Sequence, residues 1–179
     1  MSETDQDPHG DMTPSEWMVR FAPLIPVGGL VLDLACGAGR NGRYLRSLGF
    51  RLIMLEKNIL GIIDMASDEH VEIVATDLED GRPWPLADRL FDCVVVTNYL
   101  HRPILHDIVR SVAPGGVLIY ETFAQGNEKF GRPSNPAFLL RPEELLIAAR
   151  PELRVVAFED IEISTPRPAA VQRIAAVRE

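Results

Sequence analysis

Residues 31–42 read VLDLACGAGRNG. An apolar run from Gly29 to Leu34 carries one acid, Asp33, and then breaks into glycines at Gly37, Gly39 and Gly42. The pattern is that of a buried strand turning tightly into a helix. Glycine there allows positive φ and lets a ligand approach the backbone. The helix N-terminus behind the turn offers free N–H groups and partial positive charge. Gly37 to Gly42 fits GxGxxG, and Glu56 follows about 20 residues after Gly37, where an acid can take ribose hydroxyls. Asp33 separates two ligand classes. A carboxylate repels a pyrophosphate and attracts a cationic group such as an ammonium or a sulfonium. It can equally cap the turn by accepting loop N–H groups, and both roles can hold at once.

Working outward, strands and helices alternate. Strands are expected at Gly29–Ala35, Arg51–Leu55, Val71–Thr76, Leu90–Thr97 and Val117–Thr122. Helices are expected at Pro14–Leu24 (capped by Thr13, with Glu16 three residues on), Arg40–Leu48, Leu60–Ser67, Arg102–Val112 and Pro142–Arg150. Asp77–Asp88 is a polar loop and Pro114-Gly115-Gly116 a turn. The strands are continuous and β-branched, as Val94–Thr97 (VVVT) shows, which marks a parallel sheet covered on both faces. The expected fold is α/β: a doubly wound, Rossmann-like sheet. Between Leu153–Ile163 and Ala169–Arg178 there is only a short TPRP-containing link, so these two strands form an antiparallel hairpin. The last strand is expected beside the fifth. Residues 1–12 are expected to be a disordered leader and 13–179 one domain.

The formal net charge of −8 and the lack of a basic run argue against duplex nucleic acid, which needs a basic face. A local patch of Arg102, Arg110 and Arg132 leaves an RNA substrate open. No apolar run reaches membrane-spanning length. Cys36 and Cys93 sit in apolar runs without CxxC spacing, which suits reduced thiols, a cytoplasmic location and no metal site.

The segment DLACGAGRN resembles motif I of class I S-adenosylmethionine-dependent methyltransferases. The likeness extends over about residues 14–177: Glu56 closing RLIMLE, Asp77 in ATDLED, the motif IV-like FDCVVVTNYL and the helix–PGG–strand of LRSVAPGGVLIYETF. GAGRN with the later LEKN is similar to the small tellurite-resistance-type members. The sequence departs from [DN]PP[YF] at Asn98-Tyr99-Leu100-His101, which disfavours DNA bases and protein glutamine as acceptors. The resemblance implies methyl transfer from S-adenosylmethionine to a small or medium-sized acceptor, with S-adenosylhomocysteine as product. The implied cofactor site comprises Asp33, Ala35, Gly37, Gly39, Asn41, Glu56, Lys57, Asp77, Leu78 and Asn98. His101 and Tyr99 are the catalytic candidates, and Glu121 is an ionisable group on the same edge, with an arginine salt bridge as its bland role. The loop after Phe123, with Phe130, Arg132 and Asn135, is a candidate lid, and Trp17 and Phe21 are candidates for the opposite wall of the acceptor pocket. An NAD- or nucleotide-binding Rossmann module and a catalytically silent, cofactor-binding partner subunit are the alternatives. A homodimer is left open.

Overall fold

The computed structural model describes residues 11–179; most of the expected leader lies outside the described residues. Seven strands form one sheet: β1 (Leu30–Leu34), β2 (Arg51–Glu56), β3 (Val71–Ala75), β4 (Phe91–Thr97), β5 (Val112–Phe123), β6 (Arg154–Ile163) and β7 (Ala169–Val177). Their order is β3-β2-β1-β4-β5-β7-β6. The pairs among β1 to β5 are parallel, and β7 runs antiparallel to both β5 and β6. The chain moves outward from β1 to β3 and then crosses to β4 on the other side of β1. That reversal opens a crevice at the carboxyl ends of β1 and β4, where ligands bind in doubly wound sheets.

Strand side chains alternate between faces. Leu32, Leu34, Ile53, Val94, Val96, Leu118 and Tyr120 pack on one face with α3 (Leu105–Arg110) and α4 (Glu144–Ala149). Val31, Leu52, Met54, Val95 and Ile119 pack on the other with α1 (Glu16–Phe21) and α2 (Arg40–Ser47). Asp33 shares the period of Val31 and therefore lies on the α1/α2 face, next to Met54 in register.

Four local expectations change. The first helix is six residues of α-helix followed by a 3-10 turn at Ala22–Leu24, and its cap is Ser15, whose Oγ accepts from Met18 N–H (3.1 Å), not Thr13. The expected helix 60–67 is two 3-10 turns, Ile59–Gly61 and Ile63–Ser67. A Cβ on Gly61 would sit 3.2 Å from Ala38 Cα, so this segment is shaped by the glycine turn against which it packs. The helix after β4 begins as a 3-10 turn, Arg102–Ile104, with Pro103 inside it. The expected turn at Pro114–Gly116 lies inside β5, where pairing with β4 skips from Phe91↔Val112 to Cys93↔Val117. The extra residues bulge toward β7, and Gly115 N–H and Gly116 C=O are both bonded to Arg178 backbone (2.7 and 3.0 Å).

Trp17 and Phe21 are core residues rather than pocket walls. Trp17 is 2% exposed, and its indole N–H donates to Ile174 C=O (3.1 Å). Trp17→Ala is therefore expected to cost about 3–5 kcal/mol of stability. A urea titration monitored by circular dichroism checks it; an unchanged midpoint would show that α1 is not part of the core.

Candidate functional site

The turn after β1 is held by two carboxylates. Asp33, 1% exposed, accepts Gly42 N–H through Oδ2 (2.8 Å) from beneath the first turn of α2. Glu56, at the end of β2, accepts Gly37 N–H through Oε2 (2.8 Å) and Lys57 and Asn58 N–H through Oε1 (2.8 and 3.3 Å). The loop between them rises through left-handed conformations at Ala35 (φ 51°), Gly37 (57°) and Gly39 (79°). Asn98, at the end of β4, is also left-handed (φ 54°). Two non-glycine residues with positive φ thus face the crevice from adjacent strands, the kind of strain that concentrates at ligand sites.

A cavity of about 270 Å³ occupies the crevice between the ends of β1, β2, β3 and β4. Ala35, Glu56, Lys57, Asp77, Leu78 and Asn98 of the expected cofactor set line it, together with Glu79 and Tyr99. Lys57 Nζ lies 2.7 Å from Asp77 Oδ2, and this bond holds the Asp77 carboxyl below its usual range. Gly37 and Gly39 belong to the loop itself, and Asp33 and Asn41 support it from behind. Asn41 is 2% exposed and both ends of its amide are engaged: Oδ1 accepts Ser15 N–H (2.9 Å) and Nδ2 donates to Thr97 Oγ1 (3.0 Å).

The two catalytic candidates separate. Tyr99 lines the 270 Å³ cavity and also a neighbouring one of about 280 Å³, which is bounded by Thr122, Phe123, Pro133 and Phe138. Burial, followed by the Glu79 carboxylate, pushes its phenol pKa upward. His101 lines neither cavity and sits at the cap of the Arg102–Ile104 turn. Arg102, expected in a local basic patch, is a structural pin. Its guanidinium meets both Glu144 oxygens (2.6 and 2.9 Å) and donates to Ala137 and Leu139 C=O (2.9 and 2.8 Å). The loop after Phe123 is fastened there and again by Asn127, which is 1% exposed and bonded to Pro133 C=O and Ala170 N–H (2.9 and 3.2 Å). Phe130 is an exposed surface residue of that loop.

Sequence reading missed a polar chain on the α1 side. Glu121, at the end of β5, bonds Ser15 Oγ and lies 3.1 Å from Arg173 Nε. The Nε–H of Arg173 does not aim at that carboxylate and is a buried donor without an acceptor. Arg173 also lies 3.4 Å from Glu159 and within 5.8 Å of the Trp17 ring centre. The salt bridge anticipated for Glu121 thus comes from β7, opposite it in register. The signal was present: antiparallel pairing of the two strands brings an acid and an arginine together.

These features define an α/β domain with a glycine-turn ligand crevice at its topological switch point. Residues 32–120 match the family described as "Methyltransferase domain", which supports a class I S-adenosylmethionine-dependent methyltransferase. It is 30% identical over 108 residues to malonyl-[acyl-carrier protein] O-methyltransferase of Yersinia pestis, a match covering 56% of this chain and 39% of that protein. The fold is similar to TehB from Haemophilus influenzae (TM-score 0.70, 18% identity, 90% of this chain and 61% of the other). It is also similar to the glycopeptide N-methyltransferase MtfA complexed with S-adenosylhomocysteine (TM-score 0.61, 18% identity, 92% and 89%). The chain thus spans well under two thirds of the curated relative's length.

Burial pushes the Asp33 pKa up to about 7, against the opposing pull of the Gly42 N–H bond. Its native value exceeds its unfolded value of about 3.9, so the native state binds the proton more tightly. The stability linked to that proton is fully present below about pH 3.9 and is lost as pH rises through about 7. In Asp33→Asn, which keeps an oxygen for Gly42 N–H, this loss should be absent. Between pH 5 and 8 the wild-type protein should lose stability relative to the variant by an amount on the order of a few kcal/mol. Parallel urea-unfolding profiles for the two proteins would contradict this.

Proposed function

We propose that the protein transfers a methyl group from S-adenosylmethionine to a small or medium-sized acceptor. The observation that carries this reading is the charge of the crevice. Glu56, Asp77 and Glu79 line it against a single cation, Lys57, which is paired with Asp77. Such a wall suits a cationic cofactor and opposes the pyrophosphate of NAD. The absence of a cationic counter-surface weakens the nucleotide-binding alternative. The family match and the S-adenosylhomocysteine bound in the similar MtfA support the same ligand.

On this reading the cofactor supplies an activated methyl group, and the chain supplies alignment and desolvation. Glu56 has lone pairs left after its three backbone bonds and accepts the ribose hydroxyls. Asp77 and Leu78 bound the adenine end. Asp33 acts through the turn it supports, by accepting Gly42 N–H beneath the methionine end. Tyr99, kept protonated by its surroundings, donates a hydrogen bond at the junction of the two cavities and does not serve as a base. Cys36 and Cys93 are unpaired thiols, consistent with a cytoplasmic protein.

Calorimetry with S-adenosylhomocysteine and NAD in parallel tests the cofactor. Tight binding of the first and none of the second is expected, and Glu56→Ala should weaken that binding about tenfold or more, as loss of charge-assisted hydrogen bonds requires. NAD binding without S-adenosylhomocysteine binding would overturn the proposal. Once an acceptor is in hand, Tyr99→Phe should lower kcat about 10- to 100-fold while S-adenosylhomocysteine affinity is retained. His101→Ala should have the smaller effect; the reverse ranking would restore His101 as the catalytic group.

A further inference from the structure

A third cavity, of about 460 Å³, lies on the α1 side of the crevice, between the segment before α1, the ends of β4 and β5, and the tip of the β6–β7 hairpin. It meets the cofactor cavity at Asn98, which lines both. Its volume is in the range that holds a small molecule. Phe123, Ile163, Pro166 and Val171 supply apolar wall.

The charges in this wall can be assigned one by one. Glu121 and Arg173 face each other at 3.1 Å and are mostly buried, their side chains 14% and 15% exposed. Asp11 and Arg40 are both engaged by Thr13 at the rim: hydrogen bonds from the Thr13 hydroxyl and N–H (2.9 Å to Oδ1), with a smaller pull from the Arg40 charge, hold the Asp11 carboxyl below its usual range, and Arg40 Nη1 donates to Thr13 C=O (2.9 Å). Two charges remain, Glu16 on the first turn of α1 and Arg167 on the hairpin tip. Both are exposed, and neither forms an ion pair among the described residues. They stand on different walls of one cavity, opposite in sign, and do not meet.

Resting on the methyltransferase reading, we infer that this cavity is the acceptor site and that it takes a zwitterionic, amino-acid-like molecule with an apolar side group. Arg167 receives the carboxylate, Glu16 receives the ammonium, and the apolar wall takes the side group. A guanidinium offers two parallel N–H bonds to a carboxylate, and a carboxylate accepts charge-assisted bonds from an ammonium. The terminal hairpin then contributes to the choice of acceptor as well as to the sheet. A nucleotide or a polyamine, with charge of one sign only, fits this wall less well.

The probes are L-phenylalanine, 3-phenylpropionate and phenethylamine, which share a ring and differ in charge. Binding is followed by amide chemical shifts at low ionic strength on the full chain loaded with S-adenosylhomocysteine. Phenylalanine is expected to shift residues 163–171 and Phe123 and to bind about tenfold more tightly than either singly charged probe. Arg167→Gln should lower phenylalanine affinity to that of phenethylamine, and Glu16→Gln should lower it to that of 3-phenylpropionate. Both variants lie on the surface, and calorimetry with S-adenosylhomocysteine verifies that each still folds and binds cofactor. A singly charged probe that binds as well as phenylalanine, shifts confined to other residues, or no binding by any probe overturns the inference. S-adenosylhomocysteine binding by the wild-type protein, measured in the same samples, reports separately on the methyltransferase reading.

Discussion

Two carboxylates from neighbouring strands pin one loop, and the ligand crevice depends on that arrangement. Asp33 reaches Gly42 N–H from inside the fold, while Glu56 reaches Gly37 N–H from the crevice side. A loop with successive left-handed residues is costly unless its surroundings fix it. The first carboxylate secures the start of α2 against β1; the second secures the turn against β2. Gly39 and Gly42 permit the fit. A Cβ at either would come within 3 Å of Met54 Cε, and at Gly42 it would also stand 3.0 Å from Asp33 Oδ2. A buried strand carries an acid at Asp33 because a helix N–H, that of Gly42, has to be met below the turn.

The sheet and its direction were legible because they follow from local chemistry. Continuous β-branched runs mark strands covered on both faces, and a link too short for a helix forces the last pair to be antiparallel. The glycine turn and Glu56 could be read for the same reason, since spacing along the chain fixed them. What was not legible depends on partners distant in sequence. Arg102 looked available because its acceptors, Glu144 and two loop carbonyls, lie 35 or more residues away. Trp17 looked like a pocket wall because its partner Ile174 is 157 residues on. Ser15 displaced Thr13 as cap because the same hydroxyl also meets Glu121 across the fold.

The polar side of the sheet is organised as a relay of single hydrogen bonds. Thr97 holds Asn41, Asn41 holds Ser15, and Ser15 holds Glu121, which faces Arg173. Members of this chain come from β4, α2, the residue before α1, β5 and β7. It runs behind the glycine turn and ends in the wall of the largest of the three cavities. The start of α2, which supports the crevice, and the segment before α1, which borders that cavity, are thereby joined through side chains that are mostly buried.

The strand that completes the sheet, β7, is also the last of the seven in chain order, yet it sits between β5 and β6 and not at an edge. Ile174, Ala175 and Ala176 are fully buried there, and Arg178 ties the end of the strand to Val109 and Val112 carbonyls. Until those residues leave the ribosome, β5 presents an open hydrogen-bonding edge and β6 has no neighbour on either side. The sheet therefore cannot close before β7 pairs, and the partly folded protein carries an unpaired strand edge until then, an exposed surface of the kind that makes incomplete folds prone to aggregation.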